Sequence, residues 1–185
     1  MSPKNDAQIG TRRIHTGRVL NLDIDRVRFP NGSEGELEII RHAGASAVLP
    51  FLSDPAGEEP QVLLIKQYRY AAERFIYEIP AGLLEKGEEP EACARRELRE
   101  ETGCTAERVE RLTTMFTTPG FTDERIHVFM ATGLTRGAHA REHDEFMEVE
   151  TMTLPRALEL IEQGEIVDGK TIVALLFAAG FRAGR

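Results

Sequence analysis

Three glutamates fall on one turn of a segment that has the marks of a helix. Pro90 to Thr102 (PEACARRELREET) is built from strong helix formers, with Pro90 suited to the first helical position and Gly103 to the residue just past the end. At about 100° per residue, Glu101 lies about 40° round from Glu97, and Glu100 about 60° to the other side. Like charges at these spacings cost a bare helix about 0.2–0.5 kcal/mol per pair. They also sit near the C-terminal end, where the helix dipole disfavours anions. Stability alone would not select this arrangement. A solvated acidic face eased by Arg95, Arg96 and Arg99 is the plain reading, whereas a bound divalent cation would reverse the sign of the repulsion. Oxygen ligands at this density suit Mg2+ or Mn2+ better than Zn2+.

Around this helix the hydrophobic period is mostly that of strands. Val19–Phe29 alternates apolar and polar residues, Pro30-Asn31-Gly32 signals a turn, and Glu36–His42 reads as the returning strand of a hairpin. Residues 1–10 read as a loose start. Further strands are predicted at Ser46–Leu52, Gln61–Tyr68, Phe75–Ile79, Arg111–Phe116, Ile126–Ala131 and Phe146–Met152. Pro80-Ala81-Gly82 is expected to end the strand before it. Helices are expected over Pro155–Gln163, capped by Thr153 and stopped by Gly164, and over Lys170–Phe181. The mixture points to an α+β fold or an α/β/α sandwich with a small N-terminal antiparallel sheet.

Composition narrows the function classes. At 185 residues the chain can bury a core without disulfides. A net charge of −8 argues against general nucleic-acid binding, which needs clustered cations. No apolar run reaches the roughly 18 residues that span a bilayer. The start MSPKNDAQIG has no apolar signal core, and Cys93 and Cys104 form no CxxC pair, so a cytoplasmic setting is expected.

The stretch GLLEKGEEPEACARRELREETGC resembles the signature of the Nudix hydrolases: Gly82, Glu88, Arg96-Glu97-Leu98, Glu100-Glu101 and Gly103 fall at the family spacing. Cys104 stands where an aliphatic residue is usual, and a buried free Cys packs as a small hydrophobe. The resemblance implies a Nudix-type α/β/α sandwich over residues 44–185 with a mixed sheet. It makes Glu97 and Glu101 the main metal ligands, with Glu100 assisting and the Ala81 carbonyl as a further ligand. Glu88 would pair with Arg96 and brace the loop, and two or three Mg2+ (or Mn2+) ions would serve each site. The reaction implied is attack of water on a diphosphate. Thr117–Glu124 (TTPGFTDE), with Pro119 sixteen positions past Gly103, is similar to the ADP-ribose pyrophosphatase branch, as are Tyr77-Glu78-Ile79-Pro80 and Lys66-Gln67-Tyr68-Arg69. That likeness assigns Arg69 to the diphosphate or terminal ribose. It makes residues 1–43 a dimerisation region in a homodimer, with Glu38 near the adenine and Phe29 offering a stacking face. Asp144–Val149 resembles the branch's DExxEV-like segment and places the general base at Glu145, with Glu142 the alternate and His143 ranked below. ADP-ribose or a related nucleoside diphosphate sugar is then the expected small-molecule partner, without nucleic acid or membrane.

Three alternatives compete. Gly164–Thr171 (GEIVDGKT) fits GxxxxGK[ST], but a phosphate loop must follow a buried strand, and Leu158–Gln163 reads as helix. Glu165 and Asp168 would also repel phosphate there. Within the family the runner-up substrate is GDP-mannose or another nucleoside diphosphate sugar. From another class, a non-catalytic nucleotide-sugar sensor resembles the same fold, although the intact signature speaks for turnover.

Overall fold

The computed structural model describes residues 7–137 and 147–181, with the side chain of Phe181 left aside. They form two compact units. The first is the chain up to Gly44 together with Phe116–Arg125, and the second comprises Ala45–Met115 and the chain from Ile126 onward.

In the first unit β1 (Gln8–Thr16), β2 (Leu20–Arg28) and β3 (Glu34–His42) make an antiparallel sheet in that order. The hairpin predicted from the sequence is β2–β3, and Asn31 Oδ1 accepts the Ser33 N–H at 3.0 Å in its turn. Only the first three residues of β1 fall in the stretch 1–10 read as a loose start, and no strand was expected over the rest. Its sequence, QIGTRRIHT, carries no apolar alternation; the backbone ladder to β2 and an ion pair from Arg13 to Asp23 hold it instead. The faces of β2 also differ from expectation. Its apolar stripe is only partly covered, with Leu20 37% exposed, whereas Asp23 and Asp25 on the other face are buried. Arg41 of β3 explains this, since it reaches Asp23, Asp25 and, at 3.2 Å, Asp123. Phe116–Arg125 is tied to the same strand. Ile40 N–H donates to the Phe121 carbonyl at 2.7 Å, and His42 N–H donates to Asp123 Oδ1 at 2.9 Å.

The second unit holds two sheets. β5 (Gln61–Arg69) lies between β10 (Met147–Thr153) and β6 (Arg74–Glu78), all antiparallel. In the other, β4 (Ala45–Pro50) runs parallel to β9 (Arg125–Arg136) and antiparallel to β7 (Ala81–Leu83), and β8 (Cys104–Phe116) lies beyond β9. Adjacent residues of a strand face opposite ways, so Val48 and Leu49 of β4 enter different cores. Val48 packs with Leu63, Phe129 and, from α1 (Pro90–Thr102), Ala94 and Leu98. Leu49 packs with Leu64, Val128 and the helices α2 (Leu154–Glu162) and α3 (Gly169–Phe181) through Leu160 and Leu175. The expected α/β/α sandwich with a mixed sheet is therefore present. β8 begins at Cys104 rather than Arg111, because Glu107, Arg108 and Glu110 obscure its pattern. β7 forms where a strand end was expected, through pairing of Ala81–Leu83 with Ala45–Ala47. Among the described residues no helix is long and apolar enough to cross a membrane.

Caps set the helix limits. Thr153 Oγ1 accepts the Arg156 N–H at 3.2 Å, and Gly103 ends α1 at φ 71°, with its N–H on the Arg99 carbonyl at 2.9 Å. A side chain at that φ is strained by roughly 1–2 kcal/mol. Gly103→Ala should therefore lower Tm by about 2–8 °C in a thermal melt, and an unchanged Tm would contradict this account of the helix end.

Candidate active site

Acidic side chains of the Gly82–Cys104 segment meet Arg96 where β7 meets α1. Arg96 is the central cation. Its Nε and Nη2 each donate to Glu88 at 3.0 Å, Nη2 also reaches the Leu83 carbonyl at 3.0 Å, and Nη1 donates to Glu97 at 2.5 Å and Glu100 at 3.1 Å. One guanidinium thus ties the Gly82–Glu89 loop to the helix and offsets the crowding of the three glutamates. The Arg96 bonds hold the Glu88 carboxyl down at about 2, while burial pushes Glu97 above its ordinary value despite Arg96 beside it.

Two carboxylates converge on the backbone at Ala81 and Gly82. Glu101 Oε2 accepts the Ala81 N–H at 3.0 Å. The Glu97 carboxylate occupies the space that a Cβ on residue 82 would need, so glycine is required there by close approach. Cys93 Sγ lies 3.5 Å from both the Gly82 and Leu83 carbonyls, and burial raises its thiol to about 11. Glu97, Glu100, Glu101 and the Ala81 carbonyl offer oxygen donors only, the ligand chemistry that a hard divalent cation takes. Among the described residues no three acidic, His or Cys side chains stand gathered as a finished metal cage, in keeping with Arg96 holding two of them.

This strand–loop–helix arrangement has known counterparts. The Nudix domain profile matches residues 42–175. The chain belongs to the Nudix family. Nudix hydrolases generally use a divalent metal, and the donor set just described fits one. Among curated relatives, the ADP-ribose pyrophosphatase of Bacillus subtilis (strain 168) is 44% identical over 179 residues, covering 96% of this chain and 94% of that protein. The methanol dehydrogenase activator of Bacillus methanolicus is 43% identical, covering 91% and 90%. A solved structure of an ADP compounds hydrolase superposes with a TM-score of 0.80 at 20% identity, over 96% of this chain and 94% of that one; at that identity the likeness speaks to the fold.

The Nudix box does not stand alone in its unit. At the end of β5, Arg69 donates through Nε and Nη2 to Glu78 of β6, the latter bond 2.9 Å long. Glu78 is buried and is also bound by Lys170 from the first turn of α3. Sequence reasoning singled out Arg69 but passed over Glu78 and Lys170, which meet across 92 positions. Lys170 does stand in the phosphate-loop look-alike. That segment follows helix α2 rather than a strand, and Asp168 caps α3 by accepting the Thr171 N–H at 3.0 Å. Gly164, at φ 74°, therefore closes α2, and Gly169 and Lys170 open α3.

Glu38 and Phe29 lie in the first unit. Glu38 is exposed on β3 opposite Ile24, and Phe29 sits after β2 with its ring against Gly35. Glu145, Glu142 and His143 lie outside the described residues.

Two outcomes test the box geometry. Gly82→Ala should lower Tm through a steric cost of about 1–3 kcal/mol, and Glu97→Ala in the same chain should recover part of the loss; strict additivity of the two melts would refute the packing. Glu88 titrates below its ordinary 4.5, so its pairing contributes in full above that pH and is lost as pH falls through about 2. The Tm gap between wild type and Glu88→Gln should therefore be widest above pH 5 and narrow toward pH 2.

Proposed function

We propose that the chain hydrolyses the diphosphate of ADP-ribose to AMP and ribose 5-phosphate, or that of a related nucleoside diphosphate sugar to the nucleoside monophosphate and the sugar phosphate. The observation that carries the reading is the convergence of Glu97 and Glu101 on the Ala81–Gly82 backbone. The 44% identical ADP-ribose pyrophosphatase supports the choice of substrate. Glu97, Glu101 and the Ala81 carbonyl, assisted by Glu100, would hold Mg2+ (or Mn2+), two or three ions per site. When bound, the metal neutralises the diphosphate and makes water a better nucleophile.

The chain's own residues do the rest. Arg69 offers a fixed donor face to the diphosphate: of the five N–H groups of a guanidinium, two are held by Glu78 and, among the described residues, three remain. Glu145 takes the proton of the attacking water, with Glu142 as alternate. Water attacks one phosphorus, the anhydride P–O bond breaks, and the bridging oxygen leaves with the other phosphate. Residues 1–43 serve homodimerisation, with Glu38 and Phe29 offered to the nucleoside. The setting is cytoplasmic, without nucleic acid or membrane as partner. GDP-mannose or another nucleoside diphosphate sugar is the nearest alternative substrate.

A regulatory reading has one observation in its favour: the 43% identical relative is named an activator of another enzyme. Turnover separates the two. With Mg2+ or Mn2+, a panel of ADP-ribose, ADP-glucose, GDP-mannose, diadenosine polyphosphates and an oxidised dNTP should show ADP-ribose cleaved fastest, with AMP and ribose 5-phosphate released. No turnover on any of them would overturn the hydrolase reading. Glu101→Gln should fold and lose most activity. Glu145→Gln should lose about 10²–10⁴-fold in kcat, the usual range for a general base, while keeping metal affinity better than Glu101→Gln. A fully active Glu145→Gln would move the base to Glu142.

A further inference from the structure

The buried carboxylate of Glu78 is shared by two cations from distant parts of the chain. Glu78 is 3% exposed and lies on β6. Its Oε2 accepts from Arg69 Nη2 at 2.9 Å and from Lys170 Nζ, while Oε1 accepts from Arg69 Nε. Lys170 is itself fixed. Its side chain is 11% exposed, and its ammonium also lies 3.0 Å from Asp168 Oδ1. Asp168 is held in turn as the cap of α3, where Oδ2 accepts the Thr171 N–H at 3.0 Å and the Thr171 hydroxyl at 2.6 Å. The same hydroxyl accepts the Ile79 N–H at 2.9 Å, one residue from Glu78. The start of α3 and the end of β6 are thus joined by a closed set of bonds.

The chemistry of Glu78 explains why a second cation matters. A buried carboxylate left with one partner draws that partner in fully, because an uncompensated buried charge is costly. Burial pushes the Glu78 carboxyl up, and the bonds from Arg69 and Lys170 together bring it below its ordinary value. With Lys170 carrying part of this load, Arg69 can stay at the surface, its side chain 44% exposed, while two of its N–H groups are held. Arg69 also lies within the field of Glu101 and Asp168. Its orientation is therefore set from behind, by the buried Glu78 and the mostly covered Lys170.

We propose that Lys170 is a positioning residue: by sharing Glu78 it fixes the Arg69 guanidinium in the orientation that receives the diphosphate. The inference rests on the role given to Arg69 above. It also accounts for the phosphate-loop look-alike, since the lysine of GEIVDGKT holds a carboxylate that orients an arginine and touches no phosphate itself.

The test has one arm that needs no substrate. In ligand-free protein the Arg69 Nε–H should give a nitrogen–proton NMR signal protected by its bond to Glu78, and Lys170→Met, which leaves Arg69 as the one cation on Glu78, should slow its exchange further as the guanidinium is drawn inward. An unchanged signal in that variant overturns the inference whatever the enzyme acts on. The second arm is kinetic, with ADP-ribose and Mg2+. Lys170→Met should raise KM about tenfold with kcat within about threefold, and Lys170→Arg should return most of the loss. In an Arg69→Ala background Lys170→Met should change kcat/KM by less than about twofold. An equal loss in both backgrounds means a general structural role and overturns the proposal. Should Lys170→Met not fold, Lys170→Gln, which keeps a donor to Glu78 without the charge, is read in the same way in both arms. Wild type inactive on ADP-ribose would sink the substrate reading and leave the NMR result standing. Arg69→Ala at wild-type activity would sink the role of Arg69 and, with it, this inference.

Discussion

The guanidinium of Arg96 is the interaction on which the candidate site depends. The helix α1 carries Glu97, Glu100 and Glu101 within one turn, an arrangement that repels itself and faces the wrong end of the helix dipole. Arg96 meets two of those carboxylates and, with its other nitrogens, Glu88 and the Leu83 carbonyl. The loop and helix are thereby one body. The same bonds explain why Glu97 is not spread into solvent: it is 9% exposed and lies against Gly82, where no side chain would fit. A glycine, an arginine and a buried acid are required together, and altering any of them alters the space left for the others.

Much of this was legible in the sequence, for reasons that are local. The limits of α1 could be read because Pro90 and Gly103 mark its ends, and the facing of its glutamates follows from helix geometry alone. The hairpin β2–β3 could be read from alternation and from Asn31-Gly32. β1 could not, since its residues bury little and its pairing rests on backbone bonds that any sequence can make. β7 is three residues long and exists because β4 offers it an edge. The burial of Asp23 and Asp25 in place of the neighbouring apolar stripe depends on Arg41 and Arg13, residues whose approach a pattern of hydrophobicity does not encode.

In the site the same division holds. Residues inside the signature could be named because their spacing is fixed by one helix and one loop. Glu78 and Lys170 could not be connected, because their meeting is a property of how α3 starts beside β6. Lys170 stood in a motif whose usual meaning is phosphate binding. What distinguishes the two meanings is the element that precedes it, helix α2 here, and this is a matter of context rather than of residue type.

The hold of Arg41, His42 and Ile40 on the segment Phe116–Arg125 bears on how far the chain can be trimmed. Asp123 bonds to Arg41 and to the His42 backbone, and Ile40 bonds to Phe121 and Asp123. Those partners are more than seventy positions apart along the chain. A truncation at the first forty-four residues would look, from the sequence, like removal of a detachable module. It would instead orphan a loop deep in the remaining chain, stripping the Asp123 N–H, the Phe121 carbonyl and the Asp123 carboxylate of their partners at once. The shortest autonomous fragment is therefore not the stretch that a family profile delimits, and excision experiments should keep the leading strands in place.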